Sequence, residues 1–210
     1  MIEYHKIQTV YKRDPSTNYK TLLEGEWSLP EFEYLSNNIW TFTEKVDGTN
    51  IRVILENGLI KYGGRTDSAQ IPTDLLTKLI EIFTPLTDPL QSMFGQNVCL
   101  YGEGYGGKIQ KGQKYKKEPD FTLFDVKVGQ WWLTRNDLED IANKLNLQVV
   151  PVIGYGTLFD AINIVKQGLK SQWGDFEAEG IVAKPNVQLF SRNGERVVTK
   201  IKCRDFKHNR

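Results

Sequence analysis

Three short strand-forming segments joined by tight turns, over residues 41–62, constrain this chain most. Thr41-Phe42-Thr43-Glu44-Lys45-Val46 leads through a Gly48 turn into Asn50-Ile51-Arg52-Val53-Ile54-Leu55. The Glu56-Asn57-Gly58 turn then leads to Leu59-Ile60-Lys61-Tyr62. The Asn57-Gly58 pair is a strong hairpin signal, because a type I′ turn needs positive φ at both central positions. Sheet built by neighbouring antiparallel strands is therefore the starting point.

Further strands are expected at 97–101, 121–128, 148–153, 180–184 and 196–202. Between them, Leu75, Leu76, Leu79, Ile80 and Phe83 fall on one helical face, predicting a core-packed helix over 72–83 capped by Thr73. A second helix is predicted over 134–145, with Asp137 placed for a capping box, and a third over 158–168, ended by glycine. Hairpins outnumber crossovers, so the expected class is α+β on antiparallel sheets, with a doubly wound parallel fold the less favoured alternative.

The charges nearly cancel, 27 Lys+Arg against 26 Asp+Glu for a net +1, so the chain is no simple polycation. With 40% hydrophobic and 11% aromatic residues it can bury a core, which excludes a largely disordered chain. No repeat or linker divides it, and a single domain over 1–210 is expected. No segment approaches the ~20 apolar residues of a membrane span, and the first residues begin no signal peptide. A soluble cytoplasmic protein is the expectation, in host cytoplasm if a phage or virus encodes it. Cys99 and Cys203 are far apart without a CxxC, and only His5 and His208 accompany them, which disfavours structural zinc and a disulfide scaffold.

Six segments carry chemistry when taken together: Glu44-Lys45-Val46-Asp47-Gly48-Thr49-Asn50, then Arg65 after the hairpin, then Tyr101-Gly102-Glu103-Gly104. Phe124 within Phe121-Thr122-Leu123-Phe124-Asp125 follows, then Glu179-Gly180-Ile181-Val182-Ala183-Lys184-Pro185 and Lys200-Ile201-Lys202. Each has an ordinary reading alone. Glu103 suits a turn, Phe124 suits a core strand, Glu179 suits a surface, and Lys200 with Lys202 suit the solvated face of an edge strand. Those readings leave the co-occurrence unexplained.

In that order and spacing, the set resembles the motif series of the covalent nucleotidyltransferases, above all the nick-sealing branch of the ATP-dependent RNA ligases. The resemblance runs over 44–202. It implies two antiparallel sheets with flanking helices forming a nucleotide cleft, an ATP-grasp-like ligase core, and joining of 3′-OH and 5′-phosphate ends through a lysyl-AMP intermediate. It assigns Lys45 as nucleophile with Lys200 and Lys202 as catalytic cations. Glu44, Asp47 and Asn50 go to the nucleotide, the latter two supporting the lysine loop and the metal's water shell, Arg65 and Glu103 to the ribose and phosphate region, Phe124 to the adenine, and Glu179 to the metal. ATP and Mg²⁺ (or Mn²⁺) are the implied cofactors.

The chemistry agrees independently. An amine attacks phosphorus only when neutral, whereas lysine ordinarily titrates near ~10.4. Nearby cations lower that value, and Lys200 and Lys202 alternate along a strand so that both point to one face. The same charges would neutralise the phosphate as it reacts.

Between residues 105 and 117, Lys108, Lys111, Lys114, Lys116 and Lys117 are interleaved with glycines and two tyrosines. That loop is expected to contact phosphates of a nucleic acid, with its tyrosines stacking on bases. A flexible solvated loop is the plain alternative. Arg204, Lys207, His208 and Arg210 form a second basic cluster. Trp27, Phe32, Tyr34 and Trp40 are assigned to the rim of the nucleotide pocket.

The expected partner is RNA, with DNA or hybrid nicks as alternatives, and the protein is expected to be a monomer that does not bind membrane. The sequence ends eight residues after Lys202. Larger relatives carry an OB-fold or helical domain after that motif, so none is expected here and a helper for substrate grip is anticipated. Two rival readings are a minimal DNA ligase and a non-catalytic nucleotide- or nucleic-acid-binding module.

Overall fold

The computed structural model describes residues 3–95 and 97–209, with side chains through 207. The chain forms two compact units, each discontinuous in sequence: His5–Val46 with Pro151–Arg210, and Met1–Tyr4 with Asp47–Val150. Because the chain leaves and re-enters each unit inside strand-rich stretches, no linker composition marks the division.

The first unit holds β1 (Gln8–Thr9), β2 (Tyr11–Arg13), β3 (Leu22–Trp27), β4 (Trp40–Lys45), β10 (Val152–Gly156), β11 (Gly180–Pro185) and β12 (Thr199–Lys202). Its five-stranded sheet has the order β1-β12-β11-β4-β10, antiparallel except where β1 runs parallel to β12; β2 and β3 form a separate hairpin. Helix α5 (Leu158–Gln167) starts with a capping box between Thr157 and Asp160 and packs its apolar face on β11 and β12. Trp40, Phe42, Phe32, Leu158 and Ile181, all fully buried, form this unit's core, with the short helix α1 (Pro30–Tyr34) supplying Phe32.

The second unit holds β5 (Thr49–Glu56), β6 (Leu59–Gly63), β7 (Val98–Tyr105), β8 (Asp120–Val128) and β9 (Trp131–Trp132), in the sheet order β6-β5-β7-β8-β9. Asn57 and Gly58 turn β5 into β6 at φ 52° and 76°, as the dipeptide requires. Helices α2 (Thr73–Phe83), α3 (Thr87–Phe94) and α4 (Arg135–Leu145) cover this sheet, burying Leu75, Leu79, Phe83 and Leu90 with Ile51 and Leu100.

Most of the predicted elements are present, with shifted ends. Thr73 is not the cap of α2: Pro72 occupies that position without a side-chain bond, so Thr73 is the first helical residue. The capping box at Asp137 is present, with Thr134 as its partner. The strand expected at 148–153 lies later, as β10; Val149 makes only an isolated bridge to Leu123. No helix among the described residues is long and apolar enough to cross a membrane.

Candidate active site

Lys45 ends β4, Gly180 begins β11 and Lys202 ends β12. The registers place Gly180 opposite Lys45 on one side and opposite Lys202 on the other. Glu179, the residue before Gly180, therefore arrives between two lysines. Its Oε2 accepts from Lys45 Nζ at 2.7 Å and its Oε1 pairs with Lys202 Nζ at 2.6 Å. The three side chains are mostly buried, 21%, 14% and 15% exposed for Lys45, Glu179 and Lys202. Burial pushes the Glu179 carboxyl upward, but the charges of Lys45 and Lys202 and their hydrogen bonds outweigh it, holding its pKa below the ordinary carboxylate value.

Lys200 lies two residues back on the same face of β12. Burial, then the charges of Lys202, Lys45 and Arg13, lower its pKa to about 8 against a smaller opposing pull from Glu179. Lys200 and Lys202, alternating along one strand, predict a depressed amine at Lys45. In the structure the Glu179 carboxylate sits against that amine, and the lysine brought low is Lys200.

Glu44 does not join this group. Alternation along β4 turns it to the opposite face from Lys45, where it is 1% exposed. There its carboxyl accepts from Ser171 Oγ at 2.6 Å and from the Gln172 backbone N–H at 2.7 Å. Burial raises its pKa, against those two bonds.

The other assigned residues belong to the second unit. Asn50 and Glu103 face each other across β5 and β7. Asn50 Oδ1 is buried with no hydrogen-bond donor among the described residues, an acceptor that a water or ligand would satisfy. Gly48 approaches so closely that a Cβ there would lie 2.3 Å from the Gly104 carbonyl oxygen and 2.8 Å from Glu103 Cγ. Phe124 is half-buried and meets Tyr4 edge-on, with centroids 5.2 Å apart. Arg65 is exposed.

The loop at 105–117 is folded, not merely solvated. Ile109 anchors it in the core, Gly107 N–H donates to the Lys116 carbonyl, and Gly112 N–H to that of Ile109. The Tyr105 ring is buried, which corrects its expected role as a stacking platform; Tyr115 is half-buried with its hydroxyl engaged. Tyr105, 2% exposed, donates to Gln148 Oε1 at 2.7 Å, and Tyr115 Oη accepts from the Asp47 N–H at 3.2 Å. Lys116 pairs with Asp120 at 2.5 Å, while Lys108, Lys111, Lys114 and Lys117 are exposed.

A family model described as RNA ligase matches residues 38–202. The chain belongs to the RNA ligase family. Solved structures agree on the fold. A single-substitution variant of Naegleria gruberi RNA ligase with ATP and Mn matches at a TM-score of 0.72 and 18% identity, over 100% of this chain and 58% of that one. The same organism's RNA ligase with PPi matches at 0.68 and 18% identity, over 99% and 59%. Another of its variants, with AMP and Mn, matches at 0.68 and 17%, over 99% and 60%. The chain thus spans less than two thirds of the length of these ligases.

Sequence reasoning missed two features of this family member, Arg52 and β1. Arg52, quoted in the strand after the Gly48 turn but given no role, is fully buried, donating to the Gly64 carbonyl at 2.6 Å and pairing with Asp67 at 2.8 Å. The residues before Glu44 do not rim a nucleotide pocket as a group: Phe32 and Trp40 are 0% exposed core, Tyr34 is 86% exposed, and Trp27 packs on Tyr11. What they contribute is β1, whose pairing with β12 fixes the lysine strand from its outer edge. Of the second basic cluster, Arg204 is exposed and Lys207 pairs with Glu177; the His208 side chain and Arg210 lie outside the described residues.

Proposed function

We propose that this chain is an ATP-dependent RNA ligase that acts through a lysyl-AMP intermediate. The observation carrying the reading is the shared Glu179 carboxylate, one oxygen to Lys45 and one to Lys202, with Lys200 on the same strand face. The solved relatives with ATP and Mn, AMP and Mn, and PPi support the choice of nucleotide.

In the first step Lys45 Nζ attacks the α-phosphorus of ATP. A P–N bond forms, the P–O bond to pyrophosphate breaks, and the amine gives up a proton. Lys200 and Lys202 hold positive charge where the α-phosphate gains negative charge, which favours the transition state over the ground state. AMP then passes to the 5′-phosphate of an RNA end, freeing Lys45. A 3′-hydroxyl attacks that activated phosphate, the new phosphodiester forms, and AMP leaves. Covalent catalysis here divides one hard displacement into easier ones.

Glu179 is the residue that would hold the metal. No group of three or more His, Cys, Asp or Glu side chains is arranged as a metal site among the described residues. A lone carboxylate fits Mg²⁺ or Mn²⁺, which keeps waters and takes phosphate oxygens, and does not fit an all-protein cage. Bound there, the ion would supply positive charge to the phosphates and compete with the two ammonium groups for Glu179. Asn50, Arg65, Glu103 and Phe124 are assigned to the nucleoside and its phosphates, Asp47 to the lysine loop, and the exposed lysines of the 105–117 loop to the RNA. One chain supplies every assigned group, so a monomer suffices, and cytoplasmic action is part of the reading.

Incubation with α-labelled ATP and Mg²⁺ tests it. The protein should become labelled, and 5′-phosphorylated RNA should chase the label; a Lys45→Ala variant that still labels defeats the proposal. Nicks ending in ribose or deoxyribose on the 3′-OH side distinguish RNA from DNA joining.

A further inference from the structure

The parallel pairing of β1 with β12 brings the first residues of the chain beside the catalytic lysine strand, and Val10 N–H donates to the Lys200 carbonyl at 3.2 Å. Arg13 reaches the other way, its guanidinium 2.7 Å from Asp205 in the turn after β12. Together these segments wall an open basin of about 1140 Å³ within one compact unit, with Lys200 and Lys202 among its lining. Eight of its fourteen lining residues are lysine or arginine, and the single acid is Asp205, already engaged by Arg13. Lys12, Lys202 and Lys207 are paired with Glu26, Glu179 and Glu177, so the surplus positive charge of the basin is carried by Lys6, Lys20 and Lys200.

Lys6, Lys20 and Lys200 face the basin with no acidic partner among the described residues. At the rim, Tyr19 is 61% exposed and is held, like Asn18 before it, in the left-handed region, at φ 60°. Two successive non-glycine residues there are strained, and the strain presents an aromatic face beside the cations.

A basic groove with an aromatic platform is the chemistry of single-stranded nucleic acid binding. The basin also exceeds the ~300–1,000 Å³ typical of a small-ligand pocket, so it is larger than the polyphosphate tail of one nucleotide needs. We propose that the basin between the N-terminal strand and the turn after β12 is the track for the single RNA strand that carries the reacting 5′-phosphate. Lys6 and Lys20 contact its backbone and Tyr19 stacks on one of its bases. The proposal rests on the ligase reading and adds where that ligase holds its substrate.

Two variants test it in the full chain: Lys6→Ala/Lys20→Ala, and Tyr19→Asn, which keeps a residue tolerant of the left-handed conformation. Labelling by ATP without RNA is measured alongside anisotropy titration of a 5′-phosphorylated single-stranded RNA at several salt concentrations. Both variants should label within about twofold of the parent. The lysine variant should bind RNA about tenfold more weakly, with a log affinity–log salt slope shallower by about 1.4, at ~0.7 per lost phosphate contact. Tyr19→Asn should weaken binding at least about fivefold with the slope unchanged.

Unchanged affinity and slope in both variants overturn the proposal. So does a raised KM for ATP with RNA binding intact, since the basin then serves the polyphosphate tail. If the parent fails to label yet both binding signatures appear, the ligase reading fails and the RNA track stands.

Discussion

Gly180 lies so close to Lys202 that a β-carbon on the glycine would sit 2.8 Å from the lysine's Cα and 2.1 Å from the carbonyl oxygen of Ile201. Both obstacles are backbone, which cannot rotate away. Gly180→Ala should therefore force β11 and β12 apart, at a cost of about 2 kcal/mol or more. Urea denaturation measures that cost. Among molecules still folded, labelling by ATP should drop more than about tenfold, because Lys202 loses its place against Glu179.

Lys200 makes a prediction about pH. Its folded pKa, about 8, lies below the ordinary lysine value of 10.5. Below pH 8 the amine is charged in both states and the fold bears the full penalty. Between about 8 and 10.5 the unfolded chain binds more protons, so this residue's contribution to stability rises with pH. Above both values the penalty is gone. Lys200→Met should raise Tm by several degrees at pH 7, with the gain fading as pH approaches 10.5, and should abolish ligation. Calorimetry across that range checks the sign.

Glu44 separates bracing from catalysis. Glu44→Gln keeps one oxygen as acceptor for the Gln172 N–H and turns its amide NH2 toward the Ser171 Oγ, which can accept instead of donate, while removing a buried charge, so stability at pH 7 and labelling should both be retained. Glu44→Ala strands two donors and should cost about 1–3 kcal/mol. Loss of labelling in a stably folded glutamine variant would instead place the carboxylate in the reaction.

Tyr115 ties the basic loop to the lysine loop through the Asp47 N–H. Tyr115→Phe keeps the ring, which meets Tyr105 edge-on at 5.9 Å, and removes only the acceptor. Stability should change by no more than about 1 kcal/mol. The labelling rate at saturating ATP should fall up to about tenfold, the equivalent of ~1.4 kcal/mol in the barrier. A change in KM alone would show that the bond serves binding and not positioning.

Residues 44–62 and 179–202 were readable in advance because strand alternation, a dipeptide turn and ordered motifs all act over short stretches. The Lys45–Glu179–Lys202 contact has its roots there, but the exchange of one carboxylate between two amines depends on register, which sequence does not display. The field around Lys200 was only half visible. Lys6, Arg13 and Lys20 are unremarkable singly, and the pairing that brings their stretch of chain beside the last strand is made by β1, whose two residues carry no strand signal. Glu44 misled because motif membership says nothing about which face of β4 a neighbour of Lys45 occupies. Tyr105 misled because composition cannot tell a ring buried and bonded to Gln148 from one presented to a ligand.

The strand order β1-β12-β11-β4-β10 has a consequence for synthesis on the ribosome. Strands β5 to β9 lie in one continuous stretch and can pair as soon as it emerges. The lysine-bearing sheet must wait, since β4 is completed only by segments made more than a hundred residues later. A nascent chain stalled before Glu179 would thus carry the complete strand set β5 to β9 beside a Lys45 amine whose carboxylate partner has not yet been made.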